Sequence, residues 1–265
     1  MTTSPNSYYR TCTLNLAADY KDGKSYLSNV FFTSPFKVMK PFHIKPNLMT
    51  VMMQTASAGI LKGDTQEMTF DINENARVEL LSQSFEKLHK MDGGNARRDC
   101  KIKVGKNAFF KYSPLPTIPF YDSGFDSTID VELEDDSSQM ALMEVLCGGR
   151  IAYGEEFQYR YYNSTIRVRK AGKLIYNDNA MYNPSEIDMK SLGMYENFTH
   201  MANLLFFNMK ETAENLELIR SLINETPNVE GGASLIQSGD TSVKLLGNTA
   251  QELVDLCEKI TAAIM

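Results

Sequence analysis

The sequence predicts a mainly β protein: a large multi-stranded β body followed by a small C-terminal β/α unit carrying two helices. Three observations carry this. Short segments alternate polar and apolar residues along most of the chain, the period of a half-buried strand. Turn signals such as Asp22-Gly23, Gly105-Lys106-Asn107 and Ala171-Gly172 punctuate them at close intervals. Only after residue 184 do apolar residues recur at helical spacing.

In order, residues 11–16 alternate as a first strand, and Pro35 and Pro41 suit strand starts or edges. Residues 48–54 (LMTVMMQ) form an almost continuous apolar run, the pattern of a strand buried on both faces. Strands follow at 66–72 and 76–84, with Asn73-Glu74-Asn75 as a hairpin-like connection. Residues 90–96 read as a mobile loop, then 99–104 and 108–113 as strands. Pro114, Pro116 and Pro119 imply an extended segment that cannot be a central strand, because proline donates no backbone hydrogen bond. Further strands are expected at 125–134, 138–147, 153–161, 163–170 and 173–181. In the last part, Leu204 to Phe207 is a buried strand, and Leu216, Ile219, Leu222 and Ile223 line a helix over 211–224 that Pro227 ends. Strands at 233–238 and 241–246 precede a closing helix with Asn248 as N-cap and Gln251 in the capping-box position. No linker divides the chain, so residues 1–265 form one domain, with a β body over about 9–183 and a β/α part over about 184–265.

Composition narrows the function. With 265 residues and 43% hydrophobic content the chain can bury a sizeable core. A net charge of -6 argues against nucleic acid, which asks for a basic face, and favours cations. No apolar run reaches the roughly 18 residues of a membrane span. Cys12, Cys100, Cys147 and Cys257 are widely spaced, which suits a reduced, cytoplasmic protein. Phosphate-cradling GxxxxGK[ST] and GxGxxG loops are absent, as are HExxH and GxSxG. His43, His89 and His200 are scattered, so no fixed metal site is expected.

Three local clusters remain. In Ser57-Ala58-Gly59-Ile60-Leu61-Lys62-Gly63-Asp64, two glycines shape a turn that sets Asp64 at the mouth of a strand, either as a cap on backbone amides or as a site residue. If the strand continues there, Glu86 and Lys87 point to opposite faces and one of them faces inward, needing a partner or water; the alternative is a strand end pointing into solvent. Glu144 sits inside the apolar run 140–147, where an unpaired acid costs several kcal/mol. Arg150, beyond Gly148-Gly149, is a counter-charge for Glu144 or for Glu155; the alternative is a functional acid lining a polar passage.

SAGILKGD (57–64), LLSQSFEKLH (80–89), LPTIPF (115–120), EVLCGGRIAYGEEF (144–157) and GKLIYNDN (172–179) together resemble the urease accessory protein family UreD, also called UreH, along essentially the whole chain. The resemblance implies a β-helical body and a non-enzymatic role in urease maturation. It further implies a chaperone-like scaffold in nickel insertion that binds a UreF-type partner, reaches a UreG-type GTPase through it, and acts on apo-urease. Assembly as a dimer of heterodimers with the UreF-type partner is implied too. No tightly bound cofactor is implied, only Ni2+ in transit through a water-filled passage. Carried over by position, Asp64, Glu144 and Glu155 are candidates for the conduit or for transient metal contact, and Glu86 joins them from its place in the strand. Gly59, Gly63, Lys87, Gly149 and Arg150 are candidates for structural or pairing roles. The chain departs from the family where Ala58 replaces a frequent glycine, at Glu86, where Ser is common, and at Asn177-Asp178, where Glu-Arg is common. Scattered carboxylates without a His/Cys cluster hold Ni2+ weakly and suit transit better than storage. The competing class is a carboxylate-based hydrolase using Asp64 and Glu144, which requires the two acids to converge in one pocket with one pKa raised.

Overall fold

The computed structural model describes residues 11–45, 47–209 and 212–265. Residues 9 and 10 of the expected body and residue 211 of the expected helix lie outside them. The strands are β1 (Thr11–Lys21), β2 (Lys24–Phe32), β3 (Phe36–Val38), β4 (Met49–Thr55), β5 (Thr65–Ile72), β6 (Arg77–Ser82), β7 (Glu86–Leu88), β8 (Ala96–Val104), β9 (Phe109–Ser113), β10 (Thr117–Pro119), β11 (Gly124–Leu133), β12 (Gln139–Cys147), β13 (Tyr161–Lys170), β14 (Lys173–Tyr182), β15 (His200–Phe207), β16 (Val229–Leu235) and β17 (Thr241–Gly247). The helices are α1 (Thr212–Asn224) and α2 (Ala250–Ile264).

Two sheets face each other. The first runs β14-β13-β11-β8-β5-β1-β2 and the second β16-β17-β15-β12-β9-β6-β4-β3. From β4 to β13 the chain crosses from one sheet to the other at each long strand, and within each sheet the successive strands pair in parallel. This is a coil of the β-helical kind. The expected hairpin at Asn73-Glu74-Asn75 is therefore an arc instead. Asn75, at φ 64°, helps hand the chain from β5 to β6 in the opposite sheet, and each strand pairs with the strand one coil away.

Parallel in-register stacking turns the alternation of each strand into ladders. Leu16, Phe70, Ile102, Val131 and Val168 form one inward rung of the first sheet; Leu14, Met68, Cys100, Ile129 and Ile166 form the next. Val51, Leu80, Tyr112, Leu142 and Leu205 answer them from the second sheet. All are buried, and together they make the central core. The outer face of the second sheet is apolar too: Met143, Val145, Leu204, Phe206, Val243 and Leu245 pack against Ile219 and Ile223 of α1 and Leu253, Leu256 and Ile260 of α2. The apolar helix faces are thus spent on the β body.

One buried ionic cluster pins α2. Thr50, Glu79 and Lys111 are neighbours across β4, β6 and β9. Lys111 Nζ meets Glu79 Oε1 at 2.8 Å and Glu258 Oε2 of α2 at 2.5 Å. Thr50 donates to Glu79 and Ser113 to Glu258.

Several local expectations are corrected. Residues 153–161 are not a strand: Ile151–Tyr153 is a short 3-10 turn, and the chain reaches β13 only at Tyr161. Gly154 closes that turn in the left-handed region, and the Phe157 N–H binds back to the Gly148 carbonyl, which diverts the backbone from extension. The proline-rich segment does contain a strand, β10, lying between β7 and β12; the prolines hold it to three residues. The cap of α2 is Thr249, one residue later than expected, and its hydroxyl accepts from the Glu252 N–H.

Candidate functional site: two small cavities at one end of the coil

Connections at the two ends of the coil differ. Those from the first sheet to the second are short. Those returning, at 56–64, 83–95, 114–123 and 148–160, are long; they contain the motifs at 57–64 and 115–120 and most of those at 80–89 and 144–157. Motifs some 30 residues apart in sequence thus stack at one end of the molecule. Ile60 N–H bonds to the Lys87 carbonyl, Glu86 N–H to the Pro116 carbonyl and Phe120 N–H to the Leu88 carbonyl. Gly59, at φ 146°, permits this: a side chain there would run into the Lys87 carbonyl and the His89 ring.

Beneath these loops the inward rung changes character. In the first sheet it reads Cys12, Gln66, Arg98, Ser127, Ser164. In the second it contains Glu144, Asn203 and Lys244 side by side. A small apolar cluster around Ile60, Leu88, Phe125, Leu146 and Tyr162 closes over this layer. Two cavities result. The first, with about 40 Å³ open to water, is bordered by Glu144, Ser164, Asn203, Asp178 and Lys244. The second, with about 60 Å³, is bordered by Gly59, Ser82, Ser84, Glu86 and Lys87. Both hold room for a few water molecules. Arg98, Tyr112, Pro114 and Leu115 border both, so they form the partition between them.

Glu144 is the exceptional group. Its carboxylate receives a hydrogen bond from Ser164 Oγ at 3.2 Å and has no ion-pair partner among the described residues. Burial pushes its pKa up to about 7, only partly offset by Ser164 and by the charge of Arg98. Asn203 is buried, and its Oδ1 has no hydrogen-bond partner. Lys244 meets Asp178 at 3.0 Å at the more exposed side of the same cavity. Glu86 turns inward and pairs with Arg98, while Lys87 is exposed. Arg98 also donates to Gln66 Oε1 from Nε at 2.9 Å and from Nη2 at 2.7 Å.

The other sequence candidates lie on the loops. Asp64 accepts from the Leu61 N–H at 2.8 Å in its own turn; partial burial raises its pKa, and that bond offsets part of the rise. It borders neither cavity, so Asp64 and Glu144 share neither of these two sites. Glu155 is gripped by Arg150, whose Nε donates at 2.7 Å and whose guanidinium lies over the Phe120 ring at 4.2 Å. Arg150 thus pairs with Glu155, and Glu144 keeps no such counter-charge. Gly63 and Gly149 both have positive φ, 82° and 132°. A methyl at Gly149 would collide with the Glu155 carbonyl, so Gly149→Ala is expected to cost about 2 kcal/mol or more, read by urea unfolding.

Sequence reasoning missed Arg98, Gln66, Asn203 and Lys244. The signal was present for the first two: Gln66 is in phase with Met68 and Phe70, and Arg98 with Cys100 and Ile102, so both occupy inward positions. Among the described residues, no group of three or more His, Cys, Asp or Glu side chains is placed to hold a metal. No helix is long and apolar enough to cross a membrane.

Comparison with known proteins agrees with the motifs. A family model described as UreD urease accessory protein matches residues 10–265. A urease accessory protein UreH of Helicobacter pylori is 36% identical over 96% of this chain and 95% of its own length. A urease accessory protein UreD of Acetivibrio thermocellus is 32% identical over 96% and 97% respectively. One from Flavobacterium johnsoniae is 30% identical over 93% and 90%.

Proposed function

Because the chain belongs to the UreD family of urease accessory proteins, and so serves urease maturation, we propose that it works as a non-catalytic scaffold whose internal passage carries Ni2+ towards apo-urease. The observation that carries this is Glu144: a buried acid with no ion pair among the described residues, lining a small cavity. Oxygen donors of Ser164, Asn203 and Asp178 line the same cavity, with Arg98 and Lys244 at its edges. Oxygen ligands hold Ni2+ less firmly than imidazole or thiolate, so an ion can enter such a cavity and leave it again. The negative net charge favours entry of a cation.

On this reading a UreF-type partner docks on the scaffold and brings a UreG-type GTPase, in a dimer of heterodimers, and urease receives the metal. The family supports those partners. Cys100, Cys147 and Cys257, buried with free thiols, support a reducing compartment such as the cytoplasm. The passage draws on Glu144 and Glu86; Asp64 and Glu155 stand at its surface loops, engaged in local bonds. A carboxylate hydrolase would need Asp64 beside Glu144, and the two line no common cavity among those described.

Glu144→Gln keeps the shape and the Ser164 contact but removes the charge. In a urease-producing strain carrying this variant, the nickel content of purified urease should fall several-fold while the variant still co-purifies with its UreF-type partner. Full nickel loading with the complex intact would overturn the conduit.

A further inference from the structure

The partition between the two cavities is not inert wall. Glu86 from the second cavity and Gln66 Oε1 from the first-sheet rung converge on one guanidinium, that of Arg98. Arg98 and Gln66 are buried, and the Arg98 and Glu86 side chains are only 10% and 17% exposed. A carboxylate and an amide oxygen directed at one buried cation, with water-sized space on either side, form an oxygen-donor cation site already filled by a side chain. Glu144 faces the opposite cavity, which Arg98 also borders, and the unpartnered Asn203 Oδ1 lies beside it in register. Acids therefore stand on both sides of a single arginine.

We propose that Glu86 and Gln66 form a divalent-cation exchange site at the waist of the passage, with Arg98 as its resident counter-cation. A divalent ion reaching the waist displaces the guanidinium from Glu86, and Arg98 turns towards Glu144 while the ion occupies the vacated oxygens. No bond is made or broken beyond coordination and hydrogen bonding. Charge enforces the order, since Arg98 cannot deprotonate at ordinary pH and an ion and a guanidinium cannot both sit between the same two oxygens. The role in delivery rests on the conduit reading; the cation chemistry of the site does not.

Titration of the full-length protein with Ni2+ by calorimetry tests the site. Arg98→Gln should bind Ni2+ at least about tenfold more tightly than wild type, because a competing positive charge is gone. Adding Glu86→Gln should abolish that gain. An Arg98→Gln protein that melts cooperatively yet binds no tighter overturns the proposal, as does a gain that persists in the double variant. Should Arg98→Gln fail to fold, Arg98→Lys serves: it keeps the charge but loses the rigid fork by which Nε and Nη2 both hold Gln66 Oε1. A few-fold gain, lost with Glu86→Gln, is then expected, and no gain overturns the site. Glu144→Gln separates the two readings. Unchanged urease nickel in that strain removes the conduit, and the calorimetric comparison still decides the exchange site.

Discussion

Lys111→Met is expected to destabilise the protein by about 3–5 kcal/mol in urea unfolding. Methionine is one atom shorter but keeps an unbranched apolar stem, so packing is largely kept; the charge is what is lost. Glu79, 9% exposed at its side chain, would be left between the second sheet and α2 without its cation, with Thr50 as its remaining hydrogen-bond donor. Glu258, at 40%, can turn to water. The penalty therefore falls mainly on Glu79, and Lys111→Met/Glu79→Gln should recover a large part of it. Equal loss in the single and double variants would assign the effect to packing. Since α2 is held by this cluster as well as by its apolar face, hydrogen exchange in α2 should quicken in the single variant.

The second large effect is a dependence of stability on pH that Glu144 imposes. Its folded pKa is about 7, against an ordinary value of 4.5. Below the ordinary value both states are protonated and Glu144 costs nothing. As pH rises between the two values the unfolded chain loses its proton while the folded one keeps it, so the unfolded state gains relative stability. Above about pH 7 the penalty is complete, at most about 3 kcal/mol at 1.36 kcal/mol per pKa unit. Glu144→Gln should therefore be more stable than wild type at pH 8 and nearly equal to it at pH 4, while nickel delivery falls. His200 acts in the opposite sense: burial lowers its pKa to about 4, so it costs stability as pH falls below its ordinary 6.5. The wild-type minus Glu144→Gln difference cancels His200. A flat difference across pH 4–8 would mean that Glu144 is fully solvated.

These acids show how far a linear reading reaches. Glu144 stood out because a charge inside an apolar run violates the pattern of its strand, and Glu86 because an inward charge needs a partner. Arg98 supplied that partner, but its strand also carries Arg97, Asp99, Lys101 and Lys103. Only its phase with Cys100 and Ile102 distinguishes it. Lys244 gave no signal at all. Its alternation with Val243 and Leu245 marks two faces of β17, and which face meets α2 depends on where α2 packs. The segment at 153–161 misled for a related reason. Its apolar residues Phe157 and Tyr159 anchor a loop against the core instead of a strand.

By itself the sequence determined the β body, the two late helices, most strand positions and the family, because these depend on local periodicity and on motif residues read in order. Tertiary structure decided that strands pair one coil apart, since the partner of a parallel strand lies some 30 residues away and no local signal names it. It also decided that the motif loops gather at one end, over a rung where the inward positions turn from apolar to polar in both sheets at once. The two cavities exist only through that coincidence: neither Glu144 nor Arg98 borders one until two sheets bring their polar rungs face to face.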